Sequence, residues 1–283
     1  MRIFLVVSII FFSLICEAQE VHIYAEQEEF EFKIYADNSE FCPVSIKVDF
    51  DAMNMEVEGG NHKTYVVAAR KEKALITKLT ISDIKKPAKF NYSYSTNYGD
   101  SNLNHTEEYV YDLPYRKSNE YKVIQGYNGT FSHTDQNALD FEMPEGTDIM
   151  TIREGIVVEV IDNNNKTCPE KECVKFNNQI IVYHPDGTFA EYVHIKQNSS
   201  RVKKGDKVVK GQVIAKSGNV GWSTGPHLHL SVFKQKLTER NTIKTKFKTR
   251  DGRNNEYLQE KMKYLREYLD KDLRIPATKL FKD

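Results

Sequence analysis

The segment Ser223-Thr224-Gly225-Pro226-His227-Leu228-His229-Leu230 sets two histidines two residues apart. On a β-strand, side chains two apart point to the same face. His227 and His229 therefore project together, and Leu228 and Leu230 turn toward a core. Two imidazoles on one face of a rigid strand can both address a metal-centred site. A bare His-x-His is more often a pair of surface histidines, so the pair needs partners elsewhere in the chain before it means anything.

The elements around it are strands. Gly155 to Ile161 is a β-branched run, and Gln179 to His184 and Thr188 to Ile195 form a hairpin joined at Pro185-Asp186-Gly187. Gly205 to Ala215 reads as two short strands with glycine turns, and His227 to Phe233 as another strand. His184, at the hairpin turn, is expected to be exposed. From Val21 to about Tyr111 the texture is short alternating runs: Ser45 to Phe50, Thr64 to Val67 and Phe90 to Tyr94, with turn signals at Gly59-Gly60-Asn61 and Tyr98-Gly99-Asp100. That spacing predicts an antiparallel sandwich of immunoglobulin-like kind. No catalytic grouping occurs there; His22, His62 and His105 are scattered and read as surface residues. Leu113-Pro114-Tyr115 and the polar Arg116 to Asn119 read as a linker. Leu258, Met262, Leu265 and Leu269 recur at helical spacing and predict a C-terminal helix packed on a domain surface. The expected fold is all-β with that one helix, divided as a leader at 1–18, a sandwich at 19–114, a second β domain at 115–250 and a tail at 251–283.

Acidic and basic residues balance at 40 each. A neutral chain has no long-range field to gather polyanions, which argues against nucleic acid as partner. Ile3 to Ile15 is apolar except for Ser8 and Ser13, and Cys16-Glu17-Ala18 places small residues where a signal peptidase reads. This predicts a cleaved export signal with Gln19 as first mature residue. Lipid anchoring through Cys16 is the rival, and Ile15 before it is bulkier than lipidation favours. No later segment has the length and apolarity of a transmembrane helix. Export permits disulfides, and Cys168 and Cys173, flanking Pro169 to Glu172, are expected to pair. Cys42 is then a buried small residue.

Two further segments complete the picture. One is Phe131-Ser132-His133-Thr134-Asp135-Gln136-Asn137-Ala138-Leu139-Asp140-Phe141 with Met143-Pro144-Glu145-Gly146-Thr147; the other is Glu191-Tyr192-Val193-His194-Ile195. With Gly205-Asp206, Gly211-Gln212 and the His227 segment, these resemble the lysostaphin-type (LytM-like) zinc metallopeptidases from about Gln125 to Phe247. The region before it is similar to the β-sandwich that precedes this domain in some secreted members. The resemblance implies a lysostaphin-type antiparallel peptidase fold and a catalytic Zn2+ held by His133, Asp140 and His229. It implies that His194 and His227 flank the water and the scissile carbonyl without binding metal, with His194 as base and His227 as stabiliser. Such a zinc lowers the pKa of bound water toward about 7 and polarises the carbonyl. Tyr127 matches a tyrosine that some members place over the site; it is either an oxyanion donor or a core aromatic. The family's commonest spacing puts the aspartate four residues after the first histidine, where this chain has Asn137. Asp140 is chosen because Phe141, Met143-Pro144 and Gly146-Thr147 follow it as they follow the ligand in longer-spaced variants, and Asp135 is the rival.

The implied function is hydrolysis of peptide cross-links in bacterial peptidoglycan by a monomeric protein, secreted or held in the periplasm or cell envelope. Stem-peptide cross-links are favoured over glycine bridges. Two other classes compete with this reading. Some domains of this shape have lost their metal and regulate other wall hydrolases, but here every ligand position is filled. The Gly-Asp-x-Val-x-x-Gly-Gln stretch also resembles biotinyl or lipoyl carriers, but no Met-Lys-Met turn is present.

Overall fold

A computed structural model of the chain describes residues 21–103 and 109–268. The export signal, Cys16, Gln19, His105 and Leu269 lie outside these residues. Among the described residues no helix is long and apolar enough to cross a membrane. The chain divides into two compact units, the first running to Asn102 and including Lys236–Thr238.

The first unit contains β1 (Val21–Glu28), β2 (Glu31–Asn38), β3 (Val44–Met53), β4 (Met55–Val57), β5 (His62–Val67), β6 (Ala74–Ile81) and β7 (Lys89–Tyr98). They form two antiparallel sheets, ordered β1-β2-β6-β4 and β5-β3-β7. The cause is visible in β2, where Phe32, Ile34, Ala36 and Asn38 are buried and the residues between them are not. Their apolar members join Val44, Ile46, Val48, Phe50 and Phe90 of the other sheet in one core. Each such side chain contributes about 1.5–3 kcal/mol on full burial. This is the two-sheet sandwich that the alternation predicts. His22 and His62 are exposed, and Cys42 is buried.

The second unit contains β8 (Val110–Tyr111), β9 (Glu120–Gln125), β10 (Ala138–Phe141), β11 (Asp148–Met150), β12 (Gly155–Ile161), β13 (Thr167–Cys168), β14 (Gln179–Tyr183) and β15 (Phe189–Val193). Then follow β16 (Lys207–Val208), β17 (Val213–Lys216), β18 (Gly221–Trp222), β19 (Leu228–Gln235), β20 (Arg240–Thr242), β21 (Lys246–Thr249), β22 (Asn254–Tyr257) and β23 (Lys263–Leu265). Nine strands make one sheet, ordered β16-β12-β14-β15-β19-β10-β9-β23, with β20 also on β19. Its core face carries Ile180, Val182, Ala190, Tyr192, Leu228, Leu230, Val232, Leu139 and Phe141. Alternation sends Glu191, Val193, His229 and Ser231 to the opposite face. Cys168 and Cys173 form the expected disulfide.

Three expectations are corrected. Leu113 and Tyr115 are fully buried in the second unit's core, so this stretch is not a linker, and the units divide after Asn102 rather than at 114. The buried Arg266 guanidinium donates to the carbonyls of both Leu113 and Tyr115, which fixes the segment despite its linker-like composition. The C-terminal helix is absent among the described residues. Leu258 is buried and Met262 exposed, so the two share no face. Lys263, Tyr264 and Leu265 instead pair with Lys122, Tyr121 and Glu120 on the edge strand β9. An open sheet edge offers backbone bonds that outweigh a weak local helical period. No boundary falls at 250 for the same reason, since β22 pairs with β21.

His184 is the third correction: it is fully buried, its Nδ1 donating to the Glu154 carbonyl at 2.8 Å. Burial, then the nearby Arg153 cation, hold it well below the usual histidine value. Its folded pKa lies below its unfolded value of about 6.5, so the unfolded chain takes up the proton first as pH falls. The stability from the neutral ring is complete above about pH 6.5 and is lost progressively below it. Urea unfolding of the wild type should lose on the order of 2 kcal/mol more between pH 7 and 4.5 than unfolding of His184→Gln. Equal losses in the two proteins would remove His184 from the account.

Candidate metal centre and active site

Strand register brings the candidate ligands together. Asp140 on β10 lies opposite His229 on β19, and His229 opposite Val193 on β15. Asp140 also lies opposite Gln125 on β9. Directly paired residues share a face, with Cβ atoms about 4.5–5.5 Å apart. One row across four strands therefore reads Val193, His229, Asp140, Gln125.

His133 reaches this row from the loop between β9 and β10. Its amide donates to the Gly129 carbonyl and its ring Nδ1 to the Gly126 carbonyl at 3.0 Å. A carbonyl only accepts, so Nδ1 carries the proton and Nε2 presents its lone pair. That Nε2 is 3.2 Å from Asp140 Oδ1 and 3.2 Å from His229 Nδ1, and the latter two atoms are 2.9 Å apart. The three groups are the candidate metal cluster among the described residues. Zinc bonds of about 2.0–2.1 Å at tetrahedral angles place ligand atoms roughly 3.3 Å apart. The observed triangle matches that edge length, and two nitrogens with one carboxylate oxygen are a donor set zinc accepts. Burial opposes ionisation of Asp140, but bonds from His133 and His229 outweigh it and hold the carboxyl well below the usual carboxylate range. Asp135 is exposed, in a left-handed turn with φ 57°, and is outside the cluster.

His194 and His227 stand beside the triangle with ring centroids 4.6 Å apart, and His194 is 6.2 Å from His229. His194 Nδ1 donates to the Val220 carbonyl at 2.8 Å, and His227 Nδ1 to the Gly225 carbonyl at 2.8 Å. Each ring thereby keeps its Nε2 lone pair for the site. The placement of His194 is not a product of strand alternation. Ala190 and Tyr192 point into the core, and alternation would send residue 194 after them. Instead His194 adopts φ 65°, and the core pattern resumes one residue later at Ile195. A non-glycine residue at positive φ costs of order 1–3 kcal/mol, which surrounding contacts must offset. Here they include the Val220 bond and the His194 amide donating to Asn178. Burial, reinforced by His227 and His229, lowers the His194 pKa to about 3, so the ring is neutral at pH 7.

Gly218 sits between the two histidine segments, bridged to His227. A Cβ there would meet the Lys196 backbone at 2.7 Å and the His194 carbonyl at 2.9 Å. Only glycine allows that approach.

Tyr127 is corrected to a core role. Its hydroxyl donates to the Thr245 carbonyl at 2.7 Å, and its ring packs on the core. Burial raises its pKa further from use as an acid. Sequence reasoning passed over Gln125. Its Nε2 donates to Asp140 Oδ2 at 3.0 Å and to Ser132 Oγ at 2.7 Å, and its Oε1 accepts from the amides of Phe131 and Ser132. One buried amide thus ties the loop carrying His133 to the Asp140 carboxylate. A lone glutamine in a strand has no spacing signal that could have revealed this. Gln125→Leu should weaken metal binding about 10–100-fold, as loss of an outer partner commonly does. Calorimetric titration with zinc checks it, and unchanged affinity would make the residue merely structural.

Residues 134–241 match the description Peptidase family M23. This stretch is similar to that family. The matched span begins one residue after His133 and includes Asp140, His194, His227 and His229. The chain is similar to the peptidoglycan DD-endopeptidase ShyA of Vibrio cholerae, 33% identical over 131 residues covering 46% of this chain and 28% of that protein. It is similar to lysostaphin of Staphylococcus staphylolyticus, 34% identical over 119 residues covering 39% and 22% of the two chains. An uncharacterized metalloprotease of Buchnera aphidicola is 32% identical over 133 residues, covering 47% and 32%. The chain thus spans under a third of these relatives' lengths by alignment. Among solved structures, the lysostaphin catalytic domain from Staphylococcus simulans aligns at 26% identity over 49% of this chain and 95% of that one, with a TM-score of 0.33.

Proposed function

We propose that this protein is an exported bacterial zinc endopeptidase that hydrolyses peptide cross-links of peptidoglycan. The observation that carries the reading is the triangle of His133 Nε2, Asp140 Oδ1 and His229 Nδ1, its edges between 2.9 and 3.2 Å, with two further imidazoles beside it. Zinc bound there would supply a Lewis acid and an activated water.

The remaining work falls to the chain. His194, buried and neutral, takes the proton of the attacking water at Nε2. His227, on taking a proton from solvent at Nε2, steadies the negative charge that develops on the carbonyl oxygen or gives that proton to the leaving amine. The bond from Nδ1 to Gly225 holds its ring in place for either task. Relatives named peptidoglycan DD-endopeptidase and lysostaphin support the wall as substrate. The apolar run at residues 3–15 supports action outside the cytoplasm.

Digestion of purified peptidoglycan by the protein lacking residues 1–18, with mass analysis of the fragments, tests this reading. Peptide-bond cleavage that a chelator stops and zinc restores is expected. Chelator-insensitive lysis or glycan cleavage would overturn the mechanism, and a metal-free protein without lytic activity would favour a regulator.

A further inference from the structure

The site-bearing face of the sheet continues past the metal ligands. Along β19 the next residues on that face are Ser231 and Phe233, paired with Glu191 and Phe189 of β15. Two strand residues span about 7 Å, so these rows lie beside the centre. Ser231 and Glu191 are buried, and Ser231 Oγ donates to Glu191 Oε2 at 3.2 Å. The other oxygen of Glu191 accepts from Arg240 Nη1 at 2.8 Å. Arg240, on β20, lays its guanidinium over the Phe233 ring at 4.0 Å, and Phe233 in turn stacks on Phe189. The arginine is therefore fixed on two sides, by a carboxylate and by an aromatic plane. Its side chain nevertheless remains 40% exposed.

A guanidinium has five donors in a planar fork, and one bond to Glu191 leaves others for a ligand. Its rotamer freedom is already spent on Glu191 and Phe233, so a ligand would not have to order it. We propose that Arg240 is a specificity-determining residue that binds a free carboxylate of the substrate peptide. This deepens the peptidase reading and rests on it. It selects stem-peptide cross-links made through a diamino diacid, which keeps a carboxylate near the scissile bond, over glycine bridges, which carry none within the bridge. Glu191 is then a positioning residue that aims the arginine.

The test uses two synthetic stem-peptide dimers, identical except that one has its diamino-acid carboxylate amidated. The wild type should cleave the free acid with kcat/KM about 10–100-fold higher, the usual scale for a charge-assisted hydrogen bond. Arg240→Gln should lose that preference, the loss falling on KM more than on kcat, and should melt at a lower temperature because the buried Glu191 loses its partner. Arg240→Lys should recover part of the preference. Equal wild-type rates on the two dimers, or a preference retained by Arg240→Gln, would overturn the assignment while leaving the peptidase reading intact. Cleavage of neither dimer by protein that still releases peptide fragments from purified peptidoglycan would overturn the assignment; failure on the dimers and on peptidoglycan alike would overturn the peptidase reading itself.

Discussion

Asp140→Ala should leave the protein folded but without bound zinc and without activity on peptidoglycan, while Asp135→Ala keeps both within about twofold of wild type. The geometry gives the reason. Asp140 Oδ1 is 3.2 Å from His133 Nε2 and 2.9 Å from His229 Nδ1, and it is the anionic member of the triangle. Two neutral imidazoles alone offer no charge to offset a dication. Loss of outer partners commonly costs 10–100-fold in affinity, so loss of a ligand should exceed that. Asp135 is exposed in a turn and touches none of these atoms. Metal content by plasma emission spectrometry, measured on both variants beside their thermal melts, decides between them. Zinc retained at one equivalent in Asp140→Ala would dismantle the centre described here.

The second large effect belongs to His194. His194→Ala should lower kcat by about 100- to 10,000-fold, the range of a general base, while one equivalent of zinc remains bound. The backbone complicates a simple reading, because alanine inherits the left-handed φ of 65°. Asparagine tolerates that region better than alanine, so His194→Asn should be the more stable variant and equally inactive. Recovery of activity in the asparagine variant would show that the residue serves the backbone and not the proton transfer. Single-turnover rates and zinc content on both variants separate the outcomes.

These two residues also mark how far the sequence could be read. Short-range periodicity was enough to place His229 on the site face of β19, with His227 just before its start, and Leu228 and Leu230 in the core, because strand alternation is a local rule. It likewise gave the β14–β15 hairpin, the sandwich strands and the pairing of Cys168 with Cys173. Resemblance then singled out His133, Asp140 and His194, segments that no local rule connects to β19. The same local rules failed where distant segments compete for the chain. The C-terminal period looked helical, but the free edge of β9 recruits residues 263–265 as a strand. Leu113 and Tyr115 looked like linker residues until Arg266 tied them into the core. His184 and Tyr127 were misjudged or left open because burial and the Glu154 and Thr245 carbonyls are set by packing.

What the sequence determined by itself is the inventory: the residue types a metal centre needs, and the strand that carries His229. What only the tertiary structure decided is their convergence. The register that sets Asp140 against His229 joins strands 89 residues apart in the chain. The positive φ that turns His194 out of the core and the glutamine that binds Asp140 to the His133 loop are likewise invisible to periodicity. Each depends on a partner far away along the chain, and a pattern within a segment carries no information about which distant segment will lie beside it.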